Sequence, residues 1–201
     1  ESADGGVSWS PSQRLTTTPL ANISTLVRTA PVRLADGGFW LPVYFELGQK
    51  FPQLLRFDRE GRQVAHRTMT TQSPLLQPAV VPTGPQTAQA YLRDGRAQAI
   101  YQQSTDNGGN DWSPAQALNV ANPNASIASA RLPDGRLLLA FNPGTQNREA
   151  LYLAESRDGR HWRTRWVLEQ DPGSGHEYSY PVILVHTGGV EVLYTWRRQR
   201  I

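Results

Sequence analysis

The sequence predicts an all-β fold of the β-propeller class, on three observations. An aspartate-centred turn recurs at a fixed period, an Asp-Gly hairpin signal recurs between its copies, and long helical periodicity is missing. The 15 Pro and 17 Gly punctuate the chain too often for long helices.

The period is read from three segments. Ser2-Ala3-Asp4-Gly5-Gly6-Val7-Ser8-Trp9 is the cleanest. Ser104-Thr105-Asp106-Asn107-Gly108-Gly109-Asn110-Asp111-Trp112 reads with one residue more, and Ser156-Arg157-Asp158-Gly159-Arg160-His161-Trp162 with one fewer. Aspartates at 4, 106 and 158 are 102 and 52 residues apart. The period is therefore near 51, with a copy due around residue 55; Arg56-Phe57-Asp58-Arg59-Glu60-Gly61 stands there as a degenerate copy.

The hairpin signal is Asp-Gly between alternating apolar runs. It occurs at Asp36-Gly37, Asp94-Gly95 and Asp134-Gly135, with Thr187-Gly188-Gly189 as a fourth turn. Each repeat thus reads as strand, Asp-Gly turn, strand, strand, Asp-rich turn, strand, which is one four-stranded blade. Four such repeats account for the 201 residues, read as one partial domain, 1–201.

In each Asp-rich turn the carboxylate can accept bonds from its own turn's N–H groups, and Gly tolerates positive φ. The Trp that follows buries a large ring between neighbouring blades. Asp4, Trp9, Asp106, Trp112, Asp158 and Trp162 are accordingly expected to be structural. A calcium loop at Asp106–Asp111 is a weak alternative, because the ligand spacing and the terminal Glu of an EF-hand are missing.

Composition excludes several function classes. The 20 Lys+Arg against 17 Asp+Glu give a formal charge of +3, and Lys50 is the only lysine. Arg is spread along the chain, with one cluster at Arg197, Arg198 and Arg200. Nucleic-acid binders concentrate such charge in one patch, so no nucleic-acid partner is expected. Arg-rich chemistry suits an anionic small substrate, since the guanidinium fork meets a carboxylate two bonds at a time. No apolar run reaches the ~18 residues of a membrane helix. With no cysteine there is neither a disulfide nor a thiolate metal site. His66, His161, His176 and His186 have no metal-ligand spacing, so no metal and no cofactor is expected. The lack of cysteine does not fix the compartment; a periplasmic or secreted location is favoured over a cytoplasmic one. Nothing in the sequence fixes the oligomeric state.

The three Asp-rich turns resemble the Asp-boxes (BNR repeats) of sialidases and related propellers. Further stretches sharpen the resemblance: Asn22-Ile23-Ser24-Thr25-Leu26-Val27-Arg28-Thr29-Ala30-Pro31, Leu76-Gln77-Pro78, Asn122-Pro123-Asn124, Glu177-Tyr178-Ser179-Tyr180-Pro181 and Tyr194-Thr195-Trp196-Arg197-Arg198. Together they are similar to the bacterial predicted-neuraminidase group, over nearly the whole chain. The resemblance implies a six-bladed propeller, with the N-terminal blades and the extreme C-terminus lying outside this sequence.

It also implies retaining hydrolysis of an acidic glycan, with a Tyr nucleophile, a Glu that withdraws its proton, an Asp acid/base and three Arg on the substrate carboxylate. Tyr178 is the best match to the nucleophile, since it precedes a Ser and an apolar strand; Tyr180 is second. The plain alternative is that these tyrosines merely line a strand end. Glu177 is a candidate to tune Tyr178, although adjacent strand residues point to opposite faces. Arg148 fits a clamp position before an Asp-box, against the alternative of a surface Arg paired with a local acid. Arg28, Glu46 and Arg197 are further substrate-binding candidates.

Two departures weaken the implied chemistry. No Glu stands in Pro74-Leu75-Leu76-Gln77, where the assisting carboxylate belongs, and Ala97–Tyr101 shows Gln and Tyr where a second clamp Arg is expected. Three readings follow: a hydrolase of sialic acid or another acidic sugar, a carbohydrate-recognition propeller without turnover, and a scaffold for protein partners built on its Trp- and Arg-rich edge.

Overall fold

The structure is a computed structural model that describes residues 2–12, 14–16 and 23–201. Asn22, the first residue of one stretch that carries the resemblance, lies outside the described residues. Fifteen strands and no helix are found among them, so no helix is long and apolar enough to cross a membrane.

The strands form antiparallel sheets in chain order, the blades of a β-propeller. The first blade holds β1 (Thr25–Val27), β2 (Val32–Arg33), β3 (Phe39–Phe45), β4 (Phe51–Phe57) and β5 (Gln63–Thr68). Its inner strand is broken at Arg28–Pro31, and both pieces, β1 and β2, pair with β3. The second blade is β6 (Leu75–Pro82), β7 (Ala88–Asp94), β8 (Ala99–Thr105) and β9 (Gln116–Ala121). The third is β10 (Ala128–Arg131), β11 (Leu137–Phe141), β12 (Ala150–Ser156) and β13 (Arg163–Gln170). A hairpin of β14 (Tyr178–His186) and β15 (Gly189–Trp196) follows. The described residues thus hold three four-layered blades and the two inner strands of another, together with the Asp4 turn.

Apolar faces of successive blades meet to form the core. Trp40 and Leu54 of the first blade pack on Leu75, Val80, Ala88, Ala90 and Leu92 of the second. Tyr91 and Ile100 of the second pack with Ile127, Leu139, Phe141 and Ala154 of the third. Leu138, Ala140 and Leu153 of the third face Ile183 and Val192 of the hairpin. Burying a large side chain fully is worth about 1.5–3 kcal/mol, so these inter-blade seams hold the blades together.

The Asp-rich turns after β8 and β12 join the third and fourth strands of their blades and dock on the preceding blade. In the Asp158 turn, Asp158 Oδ1 accepts the N–H groups of Arg160 and His161, each at 2.9 Å. Gly159 N–H donates to Ser156 Oγ at 2.8 Å. Trp162 stacks edge-on against Tyr91 of the second blade, with ring centroids 5.3 Å apart. Asp4 accepts Ser8 N–H at 2.9 Å in the same way, but Trp9 is 73% exposed.

Two expectations are corrected. In the second turn the aspartate's role falls to Asn107, one residue beyond Asp106. Thr105 Oγ1 accepts Gly109 N–H at 3.1 Å, and Asn107 Oδ1 accepts Asp111 N–H at 3.0 Å. Thr105–Trp112 therefore has the length of Ser2–Trp9, with no extra residue. A carboxamide oxygen accepts these bonds as a carboxylate does, and this hid the register. The second correction concerns Asp94-Gly95. Asp36, Asp134 and Thr187 lie in first-hairpin turns, whereas Asp94-Gly95 joins the second and third strands, β7 and β8, at the opposite end of its blade.

Candidate functional site

The connections sort to two ends. Asp-rich turns lie at one end; links between second and third strands, and between blades, lie at the other. Every candidate of the sequence reading apart from the turn residues falls at or next to this second end.

A repeated local device builds the site. Near the start of each inner strand stands one non-glycine residue with positive φ: Ser24 (59°), Gln77 (52°), Asn124 (53°) and Tyr180 (56°). At Gln77 and Tyr180 the pairing register slips between Leu76 and Ala79 and between Ser179 and Val182. Such a bulge re-aims the side chain at the slip. Inner-strand segments from all four sheets then line a central cavity of about 260 Å³, with Arg28, Thr29, Pro31, Ala79, Ser129 and Pro181 on its wall.

Two tyrosines have different surroundings. Tyr178 is 1% exposed. Its hydroxyl donates to Asp171 Oδ2 at 3.3 Å and accepts Arg197 Nε–H at 3.1 Å. Asp171 also holds His176 Nδ1 at 2.6 Å, and the Arg197 guanidinium lies 4.3 Å from the Trp196 ring centroid. This cluster locks the third blade's exit loop to the end of β15. Tyr178, read as the first choice of nucleophile, and Arg197, read as a substrate-binding candidate, both lie in this cluster. Tyr180 is 45% exposed, with the Arg28 guanidinium 5.1 Å from its ring centroid. In a regular strand, residues two apart share a face; the bulge breaks that rule and separates the two tyrosines.

Three arginines and two neutral residues complete the cluster. Arg28 donates to the Pro181 carbonyl at 3.2 Å, and its Nε is buried with no hydrogen-bond partner among the described residues. Burial disfavours the Arg28 charge, while Tyr180 and Tyr44 favour it. Arg93, absent from the sequence reading, donates through Nε to Asn124 Oδ1 at 2.7 Å and through a terminal nitrogen to Gln77 Oε1 at 3.0 Å. Burial and the nearby Arg148 charge lower its pKa, against the opposite pull of Tyr180, Glu46 and Tyr44. Gln77 also accepts Ser126 Oγ–H at 3.0 Å and donates to Tyr44 Oη at 3.3 Å. Arg148 donates to the Asn124 carbonyl at 2.8 Å and pairs with Glu177 at 2.9 Å.

Glu177 also pairs with Arg198. Burial opposes its charge, but Ser179, Arg198 and Arg148 outweigh this and hold the carboxyl below its ordinary range. Glu177, read as a candidate to tune Tyr178, pairs with Arg148 and Arg198, while the Tyr178 hydroxyl meets Asp171 and Arg197. Glu46 binds Lys50 at 2.9 Å and lies close enough to Arg93 to act on its charge. Among the described residues no group of three or more His, Cys, Asp or Glu could hold a metal ion.

Sequence reasoning missed Arg93 and Asn124. A usable signal existed: Gln77-Pro78 and Tyr180-Pro181 are equivalent bulges two blades apart, and Asn124 marks the blade between them.

Known structures share this architecture. The chain superposes on the intramolecular trans-sialidase from Ruminococcus gnavus in complex with oseltamivir carboxylate with a TM-score of 0.79 at 18% identity, covering 99% of this chain and 46% of that one. It superposes on the leech intramolecular trans-sialidase complexed with 2,7-anhydro-Neu5Ac with a TM-score of 0.78 at 16% identity, covering 99% and 33%. A protein of unknown function from Dyadobacter fermentans DSM 18053 gives 0.74 at 19% identity, covering 97% and 58%. The chain thus spans between a third and under three fifths of these structures, and the likeness is one of fold. No curated protein sequence matches it. Over residues 1–192 it matches the model of the BNR repeat-like domain, and the chain belongs to that family.

Proposed function

We propose that this chain supplies part of the sugar-binding end of a sialidase-like glycoside hydrolase acting on sialic acid or another carboxylate-bearing sugar. One observation carries the reading. Arg28, in the break of the first blade's inner strand, and Arg93, near the end of β7, are part-buried, and among the described residues no carboxylate pairs with either. Part-desolvated cations without a paired carboxylate invite an anionic ligand. With Arg148 beside them, they form a fork-shaped receptor suited to a carboxylate.

In this reading Tyr180, exposed beside Arg28, takes the nucleophile's role. Its hydroxyl would pass its proton to a base elsewhere in the protein as the oxygen attacks the anomeric carbon, the aglycone would depart with a proton from an acid also elsewhere in the protein, and water would later cleave the tyrosyl–sugar bond and return the proton to the phenol. A phenol has an ordinary pKa near 10 and needs a base. Gln77 favours a second reading, recognition without turnover. It occupies the inner-strand position two blades before Tyr180, and its neutral carboxamide cannot take a proton.

The test is release of 4-methylumbelliferone from its sialoside and its glucuronide by the full-length protein. Turnover that disappears in Tyr180→Phe and persists in Tyr178→Phe supports the hydrolase. Binding of either free sugar acid without turnover of either glycoside supports recognition alone.

A further inference from the structure

We propose that Asn124 is the positioning residue of the acid-binding arginines, holding Arg93 and Arg148 at a fixed spacing. The inference rests on the reading of that site as a carboxylate receptor. One residue touches both guanidiniums: its side-chain oxygen accepts Arg93 Nε–H at 2.7 Å, and its carbonyl accepts an Arg148 N–H at 2.8 Å.

The segment is built to present it. Asn122 is fully buried and closes on Ala125 with both side-chain ends, accepting its N–H at 2.9 Å and donating to its carbonyl at 3.0 Å. Two residues on from Asn124, Ser126 donates to Gln77, the other acceptor of Arg93. The Asn122-Pro123-Asn124 stretch is thus a bracket between the second and third blades. Asn124 sits at a φ of 53°, a region Asn enters more readily than most residues. Gly would take the same backbone but offer no acceptor. Asp would keep the acceptor and offset the Arg93 charge. Asn meets the backbone, acceptor and charge requirements together.

The experiment uses the full-length protein and two variants, Asn124→Gly and Asn124→Asp. The first readout is the affinity for N-acetylneuraminic acid and for glucuronic acid, each divided by that for its methyl ester. The second is the Arg93 Nε–H resonance in ¹⁵N NMR, which needs no ligand. Asn124→Gly is expected to lower the acid-over-ester preference about tenfold and to speed exchange of the Arg93 Nε–H. Asn124→Asp should keep that proton protected yet still lose preference, because the added charge offsets Arg93. A merely structural role would move the two variants together and would not separate proton protection from preference. An unchanged preference in both variants overturns the proposal, as does an Arg93 Nε–H that exchanges no faster in Asn124→Gly than in the wild type. If the wild type shows no acid preference, the carboxylate-receptor reading fails, while the NMR readout still tests the positioning.

Discussion

Replacing Gln77 by Glu should weaken binding of a sugar acid while leaving the local packing intact. The two side chains have the same shape. The introduced carboxylate can still accept from Arg93 and Ser126, and Tyr44 can turn its hydroxyl proton to donate where it now accepts. What changes is charge: an anion would lie about 3 Å from the Arg93 guanidinium. At an effective dielectric near 20, two charges 4 Å apart interact by about 4 kcal/mol. Arg93 is part-exposed, and solvent screening cuts this to about 1–1.5 kcal/mol. Affinity for the acid should fall roughly five- to tenfold, with the methyl ester affected far less. Calorimetry on wild type and variant, each with acid and ester, reads the difference directly. An unchanged acid affinity in a folded Gln77→Glu protein would show that Arg93 does not meet the ligand.

Further outcomes follow from packing and titration. Tyr178→Phe should lower stability by about 1–2 kcal/mol, because Asp171 and Arg197 each lose a partner, whereas Tyr180→Phe should leave the thermal midpoint unchanged and remove turnover. Gly159→Ala should destabilise by more than about 3 kcal/mol: φ is +76°, and an added Cβ would lie 2.6 Å from the Tyr91 hydroxyl oxygen as well as against the Gln89 side chain. Glu177 is held below the ordinary value of 4.5 in the folded chain, so its stabilising contribution is present at neutral pH. The unfolded chain takes up the proton first, so this contribution erodes as pH falls from about 4.5 towards the folded value. Thermal midpoints of Glu177→Gln should accordingly depend less on pH below 4.5 than those of the wild type.

The blade architecture was legible because it rests on short-range chemistry. Asp-Gly between alternating strands and Ser-x-Asp turns each dictate a local backbone, and their period exposes the repeat. The same signals carried no information about which hairpin they close, so Asp94-Gly95 was placed one strand early. The Asn107 turn was misread by one residue because a carboxamide replaces the carboxylate. The candidate site was legible only in part. Arg28, Arg148, Glu46 and Tyr180 do gather at one end of the blades. Strand alternation treats Tyr178 and Tyr180 alike, and the bulge that separates them is invisible to that rule. Arg93 and Asn124 acquire meaning only when blades pack, since they meet across 31 residues of sequence.

Acid-over-ester preference in the full-length protein tests the central claim most directly. The proposed receptor of Arg28, Arg93 and Arg148 predicts that N-acetylneuraminic acid or glucuronic acid binds at least about tenfold tighter than its own methyl ester, and that Arg93→Ala abolishes the advantage. Equal affinity of acid and ester for both sugars, or a preference that survives Arg93→Ala, would contradict it.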